Sequence, residues 1–397
     1  MTGQPVRDYR ATRVGLELDP LYAEVRGREP VARVRFPDGR EGWLVTGYEY
    51  ARQILADARF SRAVAAARSP VGWRELYLTD MDHPEHTRIR RMVVDALPRR
   101  RVERQLAPRV RQIADGLIDD LLAQGPPADV LNDFALPLTV TVICELLGVP
   151  PADRARFGEL TRAFLATTPS PAARPADAYD QLSDYFASLV AERRARPTAD
   201  LFGELAQARD EGGDRLSESE LIALGKGLLT AAFETTANQL ANSVYVLLTH
   251  PDQLRRLRQD PRLLPGAVEE LLRWVPLGDG AGLPRVAIED IRLGDVLIRA
   301  GDAVFAARPA ANRDETVFPD ADSVDIGRRP QYPHLTFSHG IHHCVGSHLA
   351  RVELQVGLGA VLGRLPRFRF AVAEEELRWK RGPLVRGLEE LPIVWDD

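Results

Sequence analysis

Lysine is almost missing from this chain: of its 52 basic side chains, only Lys226 and Lys380 are not arginine, and the 57 acidic ones leave a net charge of −5. That balance gives no support to general nucleic-acid binding. Cysteine is nearly as scarce. Cys144 and Cys344 are the whole complement, too few for a disulfide framework or for the cysteine cluster of an iron–sulfur centre. Long hydrophobic runs are lacking too. The N-terminal stretch MTGQPVRDYRATRV has none of the continuous apolar character of a signal peptide or anchor, and no later segment reaches about 18 uncharged apolar residues. A soluble, cytoplasmic, monomeric protein without membrane association is expected. Internal repeats, a low-complexity tail and a clear linker are also missing.

What is present suits a large globular chain. Hydrophobic content of 45% with 27% charged residues is enough to bury a sizeable core, although 397 residues exceed the usual domain size. VARVRF and GWLVTG flank the turn PDGR and predict a β-hairpin near the start. The pattern then turns helical. QLAPRVRQIADGLIDDLL carries apolar residues at three- and four-residue spacing. LSESELIALGKGLLTAAFETTANQLANSVYVLL is a longer periodic segment opened by a capping box at Ser217 and Glu220. A helix of that length spans roughly 45 Å and serves as an organising axis. TTPSPAARPADAYD, from Thr167 to Asp180, reads as a surface loop between helices, either a mobile lid or a plain connector.

Sheet and helix patterns interleave too finely for separate units. Residues 1–397 are therefore expected to form one mainly α domain with small β-sheets. Its β-rich portions fall at about 30–47, 285–307 and 366–397, and its helical portion at about 48–280. The arginines in PRRRVERQLAPRVR, Pro98 to Arg111, form either a solvated helix face or a docking patch for an acidic partner.

Chemistry concentrates in TFSHGIHHCVGSHLAR, residues 336–351. Cys144 sits in the apolar run LTVTVICELLGV, where a small buried thiol is expected; Cys344 has no such explanation. A thiolate is a good metal ligand that needs amide donors or a helix N-terminus to soften its charge. Gly340 and Gly346 allow tight backbone approach on either side of Cys344, a helix starts just beyond it, and Phe337 can shield the sulfur. Direct zinc binding by His339, His342, His343, Cys344 and His348 is one reading, but their spacing matches no zinc ribbon or finger. A haem iron with an axial cysteine thiolate is the other.

Phe337, Gly340, His342, Cys344 and Gly346, followed by Leu349-Ala350-Arg351, together resemble the haem-ligand loop of the cytochrome P450 family, soluble bacterial class. The rest of the chain agrees in order. Glu270 and Arg273 in EELLR resemble the family's structural Glu-Arg pair; taken alone they would be a surface ion pair worth about 0.3–0.5 kcal/mol. AAFETTAN, Ala231 to Asn238, resembles the oxygen-binding kink of the long helix over the haem, which implies Glu234 as acid and Thr235 as the hydroxyl of proton delivery. Ala232 stands where glycine is commoner. His86 and Arg90 in DHPEHTRIRRMV, Arg285 in LPRVAIED, and His342 match the family's partners for the haem propionates. Further departures are Ser338 in place of a frequent glycine, Ser347-His348 where Ala-Pro is frequent, and Ser323 where an arginine often accompanies the Glu-Arg pair.

The resemblance implies haem b held by Cys344 and a monooxygenase that hydroxylates or epoxidises with dioxygen. Electrons would come from a ferredoxin or flavodoxin-type partner with its reductase, docking on a face that includes Arg88, Arg91 and the arginines after Pro98. Segments placed over the haem are Ser69 to Met81, the lid near Phe164, Leu229 to Thr236, WVPLGDGAGL, and Val385 to Leu388. They are mostly apolar, with few charges such as Asp279 and Arg386, and Phe233 belongs either to a pocket wall or to the core. A bulky, mostly apolar small molecule follows, with a macrolide or other polyketide of antibiotic biosynthesis by family analogy and a terpenoid or cyclic dipeptide, including oxidative coupling, as alternatives. The non-enzyme alternative is a metal- or haem-binding protein.

Overall fold

The computed structural model describes residues 6–9, 15–36, 39–68, 77–165, 175–210, 212–278, 282–380 and 385–396. Its axis is the helix Glu218–Thr249, 32 residues and therefore about 48 Å long. The capping box forms as the sequence predicts. Ser217 Oγ accepts the Glu220 N–H at 3.1 Å, and Glu220 Oε2 accepts the Ser217 N–H at 2.7 Å. Most of this helix is buried, because the helices Leu136–Leu147, Pro175–Ala195 and Ser347–Arg364 pack around it. A continuous apolar cluster, which draws on residues from Leu16 to Trp395, fills the space between them. Its most apolar stretch, Val130–Leu147, has a mean hydropathy of 1.6 and is 67% buried, so it spends its apolar faces on neighbouring helices.

The hairpin appears as strands Val31–Arg35 and Glu41–Val45, antiparallel with Val31 opposite Val45 and Arg35 opposite Glu41. They belong to a six-stranded sheet in the order Arg7–Asp8, Val31–Arg35, Glu41–Val45, Ala303–Ala306, Arg285–Ala287, Phe60–Ser61. Ile291–Leu293 and Val296–Ile298 form a two-stranded ribbon, and Arg369–Phe370, Pro392–Val394 and Ala128–Asp129 a three-stranded sheet.

Two corrections to the expected layout follow. The block 48–280 is not wholly helical: Phe60–Ser61 and Ala128–Asp129 are strands too short to leave a period of two in the sequence. The loop expected through Asp180 ends earlier, because Pro175 starts the helix Pro175–Ala195, where proline's missing N–H is harmless. Residues 166–174 of that loop lie outside the described residues.

The strand Phe60–Ser61 matters for the site. It pairs with Arg285–Ala287 and fixes Arg285 from one side while Ala303–Ala306 fixes it from the other.

Candidate active site

The loop carrying Cys344 is shaped by two left-handed residues, Ser338 at φ 66° and Gly340 at φ 72°. At Gly340 glycine is required twice over: a Cβ would also stand 2.6 Å from the Leu55 carbonyl oxygen. Ser338 accepts a strain of roughly 1 kcal/mol that the more frequent glycine would not. The loop then folds back, with the Cys344 N–H donating to the Phe337 carbonyl at 2.8 Å, and the helix Ser347–Arg364 begins three residues later.

Cys344 is exposed, yet enough protein surrounds its sulfur that burial pushes the thiol's pKa up against the pull of the Gly346 N–H, Arg90, Arg308 and Arg351. A bound metal cation is what converts such a thiol to thiolate. Behind the loop, Arg351 lies over the Phe337 ring at 4.5 Å and is held by both oxygens of Glu269 at 2.7 and 2.9 Å.

Near the loop, His86, His342, Arg90 and Arg285 lie close to one another. His86 is buried with neither ring nitrogen bonded, His342 Nε2 is buried and unbonded, and the two rings lie 4.4 Å apart. Burial and the neighbouring Arg90 and Arg285 lower the His86 pKa to about 4; burial, Arg285, His86 and Arg62 lower that of His342 to about 3. Arg285 is buried with one long bond, 3.3 Å to the Phe60 carbonyl, and burial with Arg62 and Arg308 nearby brings it down to about 10. Arg62 is already committed to Asp80 at 2.7 Å. Arg90 reaches the His343 carbonyl at 2.6 Å.

Buried donors without acceptors call for an anion with several oxygens. Two propionate carboxylates would supply that, so the residues present fit haem b, whose iron the Cys344 thiol could hold. Among the described residues no group of three or more His, Cys, Asp or Glu converges on a point, so the zinc reading finds no ligand set there.

The candidate proton-delivery residues lie on the long helix, which is continuous through the segment where a kink is expected. Ala231 is exposed in mid-helix and Gly227, Leu228, Ala232 and Thr235 are partly so, while their flanks are buried, which marks an open apolar face. Tyr77 lies against this face at Gly227. Thr235 Oγ1 donates to the Ala231 carbonyl at 2.5 Å, which leaves its lone pairs free to accept a proton donor. Glu234 sits on the adjacent flank with Lys380 Nζ 3.2 Å from its Oε1.

Several expectations change in three dimensions. Glu270 and Arg273 are not a surface pair: their side chains are 2% and 1% exposed and doubly bonded at 2.7 and 2.8 Å. The cation missing at Ser323 is supplied by Arg328, whose Nε lies 3.1 Å from both Glu270 oxygens. Ser323 contributes its carbonyl, which accepts from Arg273 at 3.1 Å and from Arg328 at 3.2 Å. Phe233 is core, 1% exposed, and Phe164 is buried beside Tyr179. Arg386 turns away to the Glu17 carbonyl at 2.7 Å. Asp279 and most of the segment from Ser69 to Met81 lie outside the described residues. Arg88 is spent on Glu220.

Sequence reasoning missed Arg308, Arg328 and Lys380. Arg308 donates to the Thr336 carbonyl at 3.1 Å and faces Cys344, with burial lowering its pKa. Its only sequence signal is an arginine in the otherwise apolar AVFAARPAAN.

Comparison with known proteins agrees with this geometry. The family profile described as Cytochrome P450 matches residues 127–381. The chain is 50% identical over the whole of both sequences to a Mycinamicin IV hydroxylase/epoxidase of Micromonospora griseorubida, and 42% identical to Cytochrome P450 monooxygenase PikC of Streptomyces venezuelae, over 98% of this chain and 94% of that protein. Among solved structures, the LnmA cytochrome P450 hydroxylase of the leinamycin pathway of Streptomyces atroolivaceus superposes with a TM-score of 0.92 at 46% identity, covering 98% of this chain and all of that one. By these matches over essentially its whole length, this chain belongs to the cytochrome P450 family and is a haem-dependent monooxygenase.

Proposed function

We propose that this monooxygenase hydroxylates or epoxidises a macrolide or related polyketide in antibiotic biosynthesis, acting in the cytoplasm as a monomer whose residues 1–397 work as one domain. The observation that carries the reading is full-length 50% identity to a protein named for mycinamicin IV. The open apolar face of the helix at Gly227 to Thr235 supports it, since a bulky apolar ligand needs a wall that presents little charge.

Haem b, when bound, supplies the dioxygen activation and oxygen insertion that no side chain can perform. Cys344 would hold its iron and donate electron density through the sulfur. His86, Arg90, Arg285 and His342 would neutralise and orient the propionates, and their burial would keep water from competing for them. Thr235 Oγ1 would accept a proton donor beside the reacting centre, and the Glu234 carboxyl would refill it from the flank of the helix. Electrons would come from a ferredoxin-type partner with its reductase. Arg100 and Arg104 are exposed and pair with no described carboxylate, which leaves them free for an acidic docking surface.

The test is a spectral titration of the purified ferric protein with mycinamicin IV, a terpenoid and a cyclic dipeptide. A shift of the haem band toward the substrate-bound form with mycinamicin IV supports the proposal. A shift with the terpenoid or the dipeptide alone would replace the polyketide reading by that class.

A further inference from the structure

One of the chain's two lysines is aimed at the proton-delivery acid from 146 residues away. Lys380 Nζ stands 3.2 Å from Glu234 Oε1 and 3.0 Å from Asn238 Oδ1. Asn238 is fully buried, and its Nδ2 donates to the Glu234 backbone carbonyl at 2.7 Å, so its oxygen is turned outward to meet the lysine. That oxygen is also packed against Gly387, where a Cβ would come within 2.1 Å. The Lys380 N–H donates to the Gly387 carbonyl at 2.9 Å, and Asn242 Nδ2 donates to the Arg386 carbonyl at 3.0 Å.

Asparagines one helical turn apart therefore fasten the C-terminal turn to the long helix, and Lys380 starts from that fastened backbone. An ammonium anchored in this way loses less side-chain freedom on pairing than a free surface lysine. The Glu234 side chain is 21% exposed and Lys380 27%, so the pair lies between solvent and the open helix face.

We propose that Lys380 is a positioning residue for proton delivery: it holds the Glu234 carboxyl in one orientation on the flank of the open helix face, and ties that orientation to the Val385–Leu388 turn. The proposal rests on Glu234 acting as the acid. The step it serves is a proton transfer alone, from the Glu234 carboxyl toward Thr235 Oγ1, with the carboxylate reprotonated from the solvent side.

The holoenzyme tests this without native substrate or redox partner. Peroxide-driven oxidation of guaiacol still requires a proton to be moved onto the departing oxygen. Lys380→Met is expected to lower kcat about threefold, the worth of one partly exposed ion pair, with KM for guaiacol unchanged and a larger solvent isotope effect. Lys380→Arg restores both values. Hydrogen exchange quickens across 385–388 in Lys380→Met and in Glu234→Gln, while the ferrous–carbonyl spectrum stays the same. Glu234→Gln with Lys380→Met is no slower than Glu234→Gln alone.

A slowed Glu234→Gln with a Lys380→Met indistinguishable from the parent, or two effects that add, overturns the role of Lys380. A Glu234→Gln that matches the parent overturns the acid reading itself. Lys380→Gln, which keeps a hydrogen-bond donor without the charge, replaces Lys380→Met should the latter not fold.

Discussion

Arg351 stacks on Phe337, with its guanidinium carbon 4.5 Å from the ring centroid, and Glu269 grips the same guanidinium from the far side through two hydrogen bonds. The aromatic ring that covers the back of the Cys344 loop is thereby pinned between a loop and the helix Ser347–Arg364. Arg351→Leu removes the stacking and one charge-assisted pair, and leaves Glu269, whose pKa is lowered to about 2 chiefly against burial by His334 and Arg351, with less support. We expect a loss of about 1–2 kcal/mol in chemical denaturation and a shift in the reduction potential of the holoenzyme. A shift in stability with an unmoved potential would confine Arg351 to packing.

Glu270 carries a heavier burden, since it faces Arg273 and Arg328 together and also accepts the Asp325 N–H at 2.9 Å. Glu270→Gln leaves two cations in the core without a counter-charge. A destabilisation of about 3–5 kcal/mol is expected, read as loss of soluble haem protein or a large drop in the denaturation midpoint. It should exceed the effect of Arg351→Leu severalfold.

The Cys344 loop predicts opposite signs at two neighbouring positions. Ser338→Gly relieves a left-handed backbone and should stabilise by roughly 1 kcal/mol. Gly340→Ala forces a methyl against the Leu55 carbonyl and should abolish haem incorporation. Thermal melts of the first and absorption spectra of the second check the pair.

His86 gives the cofactor-free protein a particular acid response. Its pKa falls from 6.5 to about 4 on folding because burial and Arg90 disfavour the charged ring. The unfolded chain therefore binds the proton first, and stability present above pH 6.5 is lost as the pH falls toward 4. His86→Asn should flatten that slope in denaturation midpoints measured between these limits. Haem binding should flatten it too, because a propionate beside the ring favours the imidazolium.

The roles proposed for Cys344 and Thr235, iron ligand and proton relay, should separate under mutation. Cys344→Ala should erase the thiolate signature of the ferrous–carbonyl spectrum. Thr235→Ala should keep it while diverting reducing equivalents to hydrogen peroxide. Equal product per electron in Thr235→Ala and the parent would remove Thr235 from the relay.

Much of this protein is written in short-range patterns. The capping box at Ser217 and Glu220, the hairpin of Val31–Arg35 with Glu41–Val45 and the Cys344 loop each depend on residues within a few positions of one another, so local sterics and hydrogen bonding settle them. The mainly α fold and the helix axis were legible for that reason, whereas Cys344 as haem ligand and His86, Arg90, Arg285 and His342 as propionate partners are what the family resemblance implies. Tertiary structure decided the rest. Which arginine completes the Glu270 cluster, that Arg88 is consumed by Glu220, that Arg308 looks toward Cys344 and that Lys380 meets Glu234 are pairings across 58, 132, 36 and 146 positions. A long, charged side chain can reach many partners, and only the packed fold fixes which carboxylate, carbonyl or sulfur stands at its end.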